Sequence, residues 1–314
     1  GAGGSVSAPA VEQAKTYGGP GQDIIHDVAV DAAGNVYFTG SVSGKVVFDQ
    51  TAVSSIGSTD IVVGSLFPNG MIRWVLGFGG KNADTGTAIA VDGAGSVYVT
   101  GSTTGSVNFG GKQVTGKGGS DGFLLKLSNQ GGVDWVEQLA GNLADAGRGV
   151  AVNDAGDVAV LVEFNGTLSF PLGDLTSLGD SDVGVFAFDK TGKPLWAQQL
   201  SNGKLAAPLG LAMKASDVYV TGHFVGELYT KNGKKVSESG GGEVFVAKLD
   251  HAKSGDALWL TALGSTAADA GAAVAIAPTG DVVVAGTLGT ATTLGSTQLA
   301  ASSTNSFVAR LTSD

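Results

Sequence analysis

Ala88-Ile-Ala-Val-Asp-Gly-Ala-Gly-Ser-Val-Tyr-Val-Thr-Gly-Ser102 reads as two short strands joined by a tight turn, and the same text recurs along the chain. Val28-Ala-Val-Asp31 precedes Gly34 and Val36-Tyr-Phe-Thr-Gly40 as Ile89-Ala-Val-Asp92 precedes Gly95 and Val97-Tyr-Val-Thr-Gly101. Ala29, Ala90, Ala151, Ala212 and Ala275 each sit inside such an apolar strand, so five copies are present. Trp74, Trp135, Trp196 and Trp259 mark a second register, 61, 61 and 63 residues apart. A spacing this regular is the mark of a repeat architecture.

Each copy runs as an apolar strand, a turn, a second strand such as Val36 to Gly40, a long connection, a third strand such as Ile61 to Leu66, and the Trp strand. That is a four-stranded meander. Gly34, Gly95, Gly156 and Gly280 fall where a left-handed residue follows a turn, a conformation cheap only for Gly or Asn. The fourth copy, Lys214-Ala-Ser-Asp217, is one residue shorter and lacks the Gly. Four-stranded sheets repeated in this way bury both faces only against neighbouring copies, which in a closed ring makes a propeller. The expected fold is all-β, a five-bladed β-propeller of four-stranded antiparallel blades over 11–314, with repeats at about 20–80, 81–141, 142–202, 203–264 and 265–314. The last copy stops at Asp314 without a Trp strand, whereas 11–19 align with Ile72 to Gly80. The two ends are therefore expected to complete one blade together, removing two sheet edges, and loss of 11–19 is expected to destabilise the ring. Residues 1–10, rich in Gly and Ala and without an initial Met, read as a flexible linker left after a signal segment or at a cut, consistent with export.

Composition narrows the function classes. A net charge of −10 and a pI near 4.7 oppose a polyanionic partner such as nucleic acid. The absence of Cys excludes disulfides, thiolate metal sites and a Cys nucleophile. No run of about 18 apolar residues is present, so no transmembrane helix is expected. An outer-membrane barrel is the structural rival, but the aromatics stand at blade-packing registers and not in girdles.

The stretches at 88–102 and Asp121-Gly-Phe-Leu-Leu-Lys-Leu127 resemble the bacterial beta-propeller repeat family SBBP, and the resemblance extends over nearly the whole chain. The family naming implies seven blades, from which this sequence departs. The resemblance implies a propeller fold in an exported bacterial setting, periplasmic, cell-surface or extracellular, and carries no shared catalytic residues.

Two acidic registers recur at the end of the blade where the first strand starts, here called the top. Asp23, Asp84, Asp145 and Asp269 precede the first strand, with Ala206 in the fourth copy; Asp60, Asp121, Asp182 and Glu243 open the third strand, with Asn305 in the fifth. Two readings stand for these eight acids. Clustered carboxylates suit a hard cation such as calcium; alternatively, each carboxylate caps the amides of its own turn. A glycosidase would need two carboxylates in unlike roles, which residues repeated by default do not supply. His26, His223 and His251 fall in unrelated registers, the first two placed on the top face and the third at the opposite end. Gly118-Gly-Ser-Asp-Gly122 satisfies a nucleophile-elbow pattern but leads into a strand where that motif needs a helix.

The long connection reads as a small hairpin with a variable tip in every copy. Asp49, Lys112, Asp174, and Lys231 with Lys234 are the tip residues expected, together with His223, to bind a ligand on the top face. The expected function is a monomeric, non-enzymatic scaffold that binds a protein or a glycan, with a lectin-like module holding one sugar per blade as the alternative and a glycoside hydrolase behind both.

Overall fold

The computed structural model describes residues 14–201, 204–300 and 303–312, so the expected linker and the start of the closing segment lie outside it. The first blade orders Ile24–Val30, Val36–Val42, Asp60–Leu66 and Ile72–Phe78 as antiparallel neighbours. The second blade repeats this with Thr85–Val91, Val97–Thr104, Ser120–Leu127 and Val133–Leu139. Asp145–Val152, Val158–Phe164, Asp182–Phe188 and Pro194–Ser201 form the third, and Leu205–Lys214, Asp217–Val225, Glu243–Asp250 and Asp256–Leu263 the fourth. The fifth sheet has three strands among the described residues, Ala270–Ile276, Val282–Leu288 and Asn305–Leu311. The four-stranded antiparallel sheets recur along the chain, and the hairpin Glu227–Thr230 with Lys235–Ser237 joins the edge of the third.

Turn chemistry sets the strand ends. Gly34, Gly95, Gly156 and Gly280 all have φ between 82° and 92°, the left-handed region that a Cβ disfavours. In the shorter fourth copy Ala215 takes this role at φ 53°.

The core lies between blades. Tyr37, Ile61, Val63 and Phe78 of the first blade pack with Ile89, Val99, Phe109 and Phe123 of the second in one buried cluster. Close approach near the axis requires glycine: a Cβ on Gly86 would lie 2.1 Å from Thr39 Oγ1, and one on Gly147 would lie 1.9 Å from Thr100 Oγ1. Further out, the indole of Trp74 donates to Asn129 O at 3.0 Å and that of Trp135 to Lys190 O at 3.2 Å, tying each outer strand to the next blade. The expected filling of the outer gaps by Trp is what these contacts describe.

The inner strands pack in chain order from the first blade to the fifth. The faces at the two ends of this series stay exposed. Val28 is 58% exposed where its counterparts Ile89 and Val150 are 5% and 8%, and Val308 is 74% exposed where its counterpart Val246 is fully buried. Among the described residues no strand pairs with the outer edge of Asn305–Leu311.

Each blade also carries a hairpin between its second and third strands: Lys45–Phe48 with Thr51–Ser54, Val107–Phe109 with Lys112–Val114, Thr167–Leu168 with Leu175–Thr176, Glu227–Thr230 with Lys235–Ser237, and Thr292–Leu294 with Thr297–Leu299. The expected hairpins are therefore present. Their direction differs from expectation. They fold back along the outer strand, so Ile72 N donates to the tip residue Asp49 at 3.4 Å and Asn232 donates to Ala257 O at 2.9 Å. Ile72 and Ala257 stand at the start of an outer strand, the end opposite the top. Burial drives this: Phe48 and Phe109 are 2% and 0% exposed once folded against the blades, an outcome that tips held upright on the top face would forfeit.

Candidate functional site

The first acidic register is a set of turn caps. The carboxylate of Asp84 accepts from Gly80 N at 2.7 Å and Thr104 N at 2.8 Å, and that of Asp145 from Gly141 N at 2.6 Å and Asn165 N at 3.3 Å. Asp23 repeats this with Gly19 and Ser43, and Asp269 with Ser265 and Gly289. In the fourth blade Ala206 keeps only the backbone bond, its N–H donating to Ser181 O.

The second register caps the turn before the third strand: Asp60, Asp121, Asp182 and Glu243 accept from Ile56, Lys117, Leu178 and Ser239 N–H, respectively. The two registers meet across blade boundaries in pairs. Asp60 of the first blade faces Asp84 of the second, Asp121 faces Asp145, and Glu243 and Asp269 flank Gly264. Desolvation raises the pKa of Asp60, Asp84 and Asp121, and pushes Asp145 up to about 6 with the charge of Asp121 adding to the effect. Among the described residues no three His, Asp or Glu side chains are grouped to hold a metal ion. Calcium takes about six to eight oxygens, whereas three of the boundaries bring together two carboxyl groups each; most of their oxygens serve amides, and Asp60 Oδ1 and Asp121 Oδ1 are buried without a hydrogen-bond partner.

The tip residues do not share the top face, contrary to expectation. Asp49 is bound by Lys15 Nζ at 3.0 Å and by Tyr17 OH at 3.2 Å. Lys112 lies exposed on the second hairpin and Lys234 at the turn of the fourth, its N–H on Thr230 Oγ1. Asp174 and Lys231 are brought together. They line a groove of about 500 Å³ over the outer strand Pro194–Ser201, with Leu172, Leu195, Trp196 and Gln199. The groove exists because the third hairpin has strands of only two residues and opens into the loop from Ser169 to Asp174, leaving the outer strand less covered. That strand pairs on its outer edge with the fourth hairpin only at Leu200 and Ser201, among the described residues.

The three histidines lie in different surroundings. His251 links two blades at the end opposite the top: the indole N–H of Trp196 donates to Nδ1 at 3.1 Å, so Nε2 carries the proton and donates to Asp157 at 3.0 Å. His223 is half-buried with Nδ1 unpartnered, and burial lowers its pKa against the opposing charge of Glu163. His26 is exposed and faces an axial cavity of about 280 Å³ to which all five inner strands contribute. Asp27, Thr87 and Arg148, which also line it, were not singled out from the sequence. For Thr87 and Arg148 a signal existed, since each follows a Gly at the point where inner-strand alternation slips by one residue.

The model of the SBBP family, described as a beta-propeller repeat, matches residues 73–110. The match runs from the outer strand of the first blade to the hairpin of the second, and the chain carries an SBBP-type repeat as its residues suggested. No curated protein matches the chain. Among solved structures, a protein of unknown function from Bacteroides caccae is similar at 10% identity over 83% of this chain and 70% of its own, with a TM-score of 0.40. Sqt1 from Chaetomium thermophilum is similar at 11% identity over 86% of this chain and 81% of its own, with a TM-score of 0.31.

Proposed function

We propose that the chain is an exported, non-enzymatic interaction propeller whose five blades close through 11–19, and that it holds an extended segment of a partner protein along Pro194–Ser201. The observation that carries this reading is the uncovered outer strand in the groove. Its edge is already used by the fourth hairpin at Leu200 and Ser201, so an incoming strand would continue an existing ladder. Leu172 and Leu195, 58% and 37% exposed, offer apolar contacts, and Asp174 and Lys231 offer opposite charges to fix direction. A protein segment suits the groove better than a sugar because Trp196 is 4% exposed and presents no open ring face for stacking.

Closure is supported at the first blade. Tyr17 packs 4.9 Å from Phe48 as Phe78 packs 5.4 Å from Phe109, and Gly19 N binds Asp23 as Gly80 N binds Asp84. These contacts support reading the segment ending at Gly19 as the end of an outer strand of a preceding blade.

The test is selection of a displayed random 12-residue peptide library on the folded chain, followed by affinity measurement on Lys231→Glu and Asp174→Lys. The reading predicts enriched peptides with alternating apolar residues, weakened about tenfold by either variant and recovered when the peptide charges are reversed. Absence of enrichment, or equal affinity in all three proteins, contradicts it. A glycan array read with the same variants decides against a protein partner if a sugar binds and is lost with them.

A further inference from the structure

Each inner strand carries one bulge at the same register, where pairing with the second strand skips a residue: between Ile25 and Asp27, Gly86 and Ala88, Gly147 and Gly149, Pro208 and Gly210, and Gly271 and Ala273. The skipped residues are His26, Thr87, Arg148, Leu209 and Ala272, and all five line the axial cavity. A bulge re-aims a side chain that alternation would otherwise direct between sheets. Here the repeat supplies five identical supports around one space, and the residues on them are chemically unlike.

Their chemistry is divided. Arg148 donates from Nε and Nη2 to one oxygen of Glu163, at 2.9 and 2.7 Å, while Nη1 makes no hydrogen bond among the described residues. Asp27, the carboxylate in the lining, accepts from the N–H groups of Val28 and Ile89 at 2.8 and 2.9 Å, so backbone amides meet its charge. Thr87 donates to Gly147 O at 2.7 Å. The rest of the lining is mixed, with His26 and glycine and alanine backbone beside the aliphatic side chains of Leu209, Leu211, Val150 and Val274. A guanidinium presenting an open donor beside the aliphatic side chains of Leu209, Leu211 and Val274 matches a planar anion on a compact apolar body.

We infer that the axial cavity binds a small organic monocarboxylate, its carboxylate on Arg148 and its apolar part against Leu209. Glu163 competes with that ligand for the guanidinium. The site is separate from the groove on the third blade and stands or falls independently of it.

The experiment is a calorimetric titration of the folded chain with benzoate, with benzamide as the neutral isostere. Benzoate is expected to bind in the millimolar range and benzamide not at all. Arg148→Gln should weaken benzoate at least tenfold, whereas Glu163→Gln, which frees the guanidinium, should tighten it at least threefold. Leu209→Glu should abolish binding, and unchanged near-UV circular dichroism in the three variants reports that the blades remain packed. Equal benzoate affinity in the wild type and Arg148→Gln overturns the inference, as does absence of binding in both the wild type and Glu163→Gln.

Discussion

Asp145 is 1% exposed and accepts two amide hydrogens, which favour its charge, yet its pKa stands near 6 because desolvation outweighs them and Asp121 lies across the blade boundary. A folded pKa raised above the unfolded value contributes stability that is complete below about pH 4 and is lost as pH rises through 6. At one pKa unit per about 1.4 kcal/mol, the loss for this residue is on the order of 3 kcal/mol. Asp145→Asn, which keeps the group neutral, should melt near the wild type at pH 4 and above it at pH 7. Thermal melts across that interval should give a flatter dependence for the variant, though not a flat one, since Asp60, Asp84 and Asp121 shift in the same direction. Equal destabilisation of the variant at both pH values contradicts the account. The positions of these acids were legible in the sequence because the turn that needs them repeats. Their pairing across blades was not, since Asp60 and Asp84 belong to different copies and meet only when the blades pack.

At the scale of the element, alternation located the strands while hiding the bulges. A bulge adds one residue without changing composition, so Arg148 reads as one more strand position until pairing with the second strand skips it. The glycine before it is a packing requirement as well. In Gly147→Ala the new Cβ would meet Thr100 Oγ1 at 1.9 Å and Thr100 Cβ at 3.0 Å, backed by the Gly101 backbone nitrogen at 2.9 Å. Overpacking of this kind costs about 1–3 kcal/mol. Chemical denaturation should show that loss for Gly147→Ala and a partial recovery in the Thr100→Ala, Gly147→Ala double variant, because only the hydroxyl clash is removed; no loss in the single variant would mean that the inner strands are not this close. Hairpins were likewise legible as hairpins from their paired apolar residues. Their fold-back was not, because it depends on Phe48 finding a buried site against Phe38 and Tyr17 and Phe109 one between Phe78 and Phe123.

For the whole molecule, the repeat count and blade boundaries followed from Trp and Ala registers that survive in every copy they mark, whereas closure depends on how the two ends meet. The end faces carry the same residue types that are buried at the four internal boundaries, Val28 and Val308 among them, and the proposed closure would make each the cover of the other. By the register of the first blade, where Gly64 faces Val75, Ala309 would oppose Ala14 in the completed fifth blade. Directly opposed residues in an antiparallel pair are spaced for a disulfide, and the native chain has no Cys to compete. The measurement that tests closure most directly is therefore oxidation of the Ala14→Cys, Ala309→Cys double variant, read by mass spectrometry for an intramolecular bond and by its melting temperature. The account predicts a quantitative internal disulfide with a raised melting temperature that returns to the wild-type value on reduction. Two free thiols after oxidation, or a disulfide found only between molecules, would contradict it.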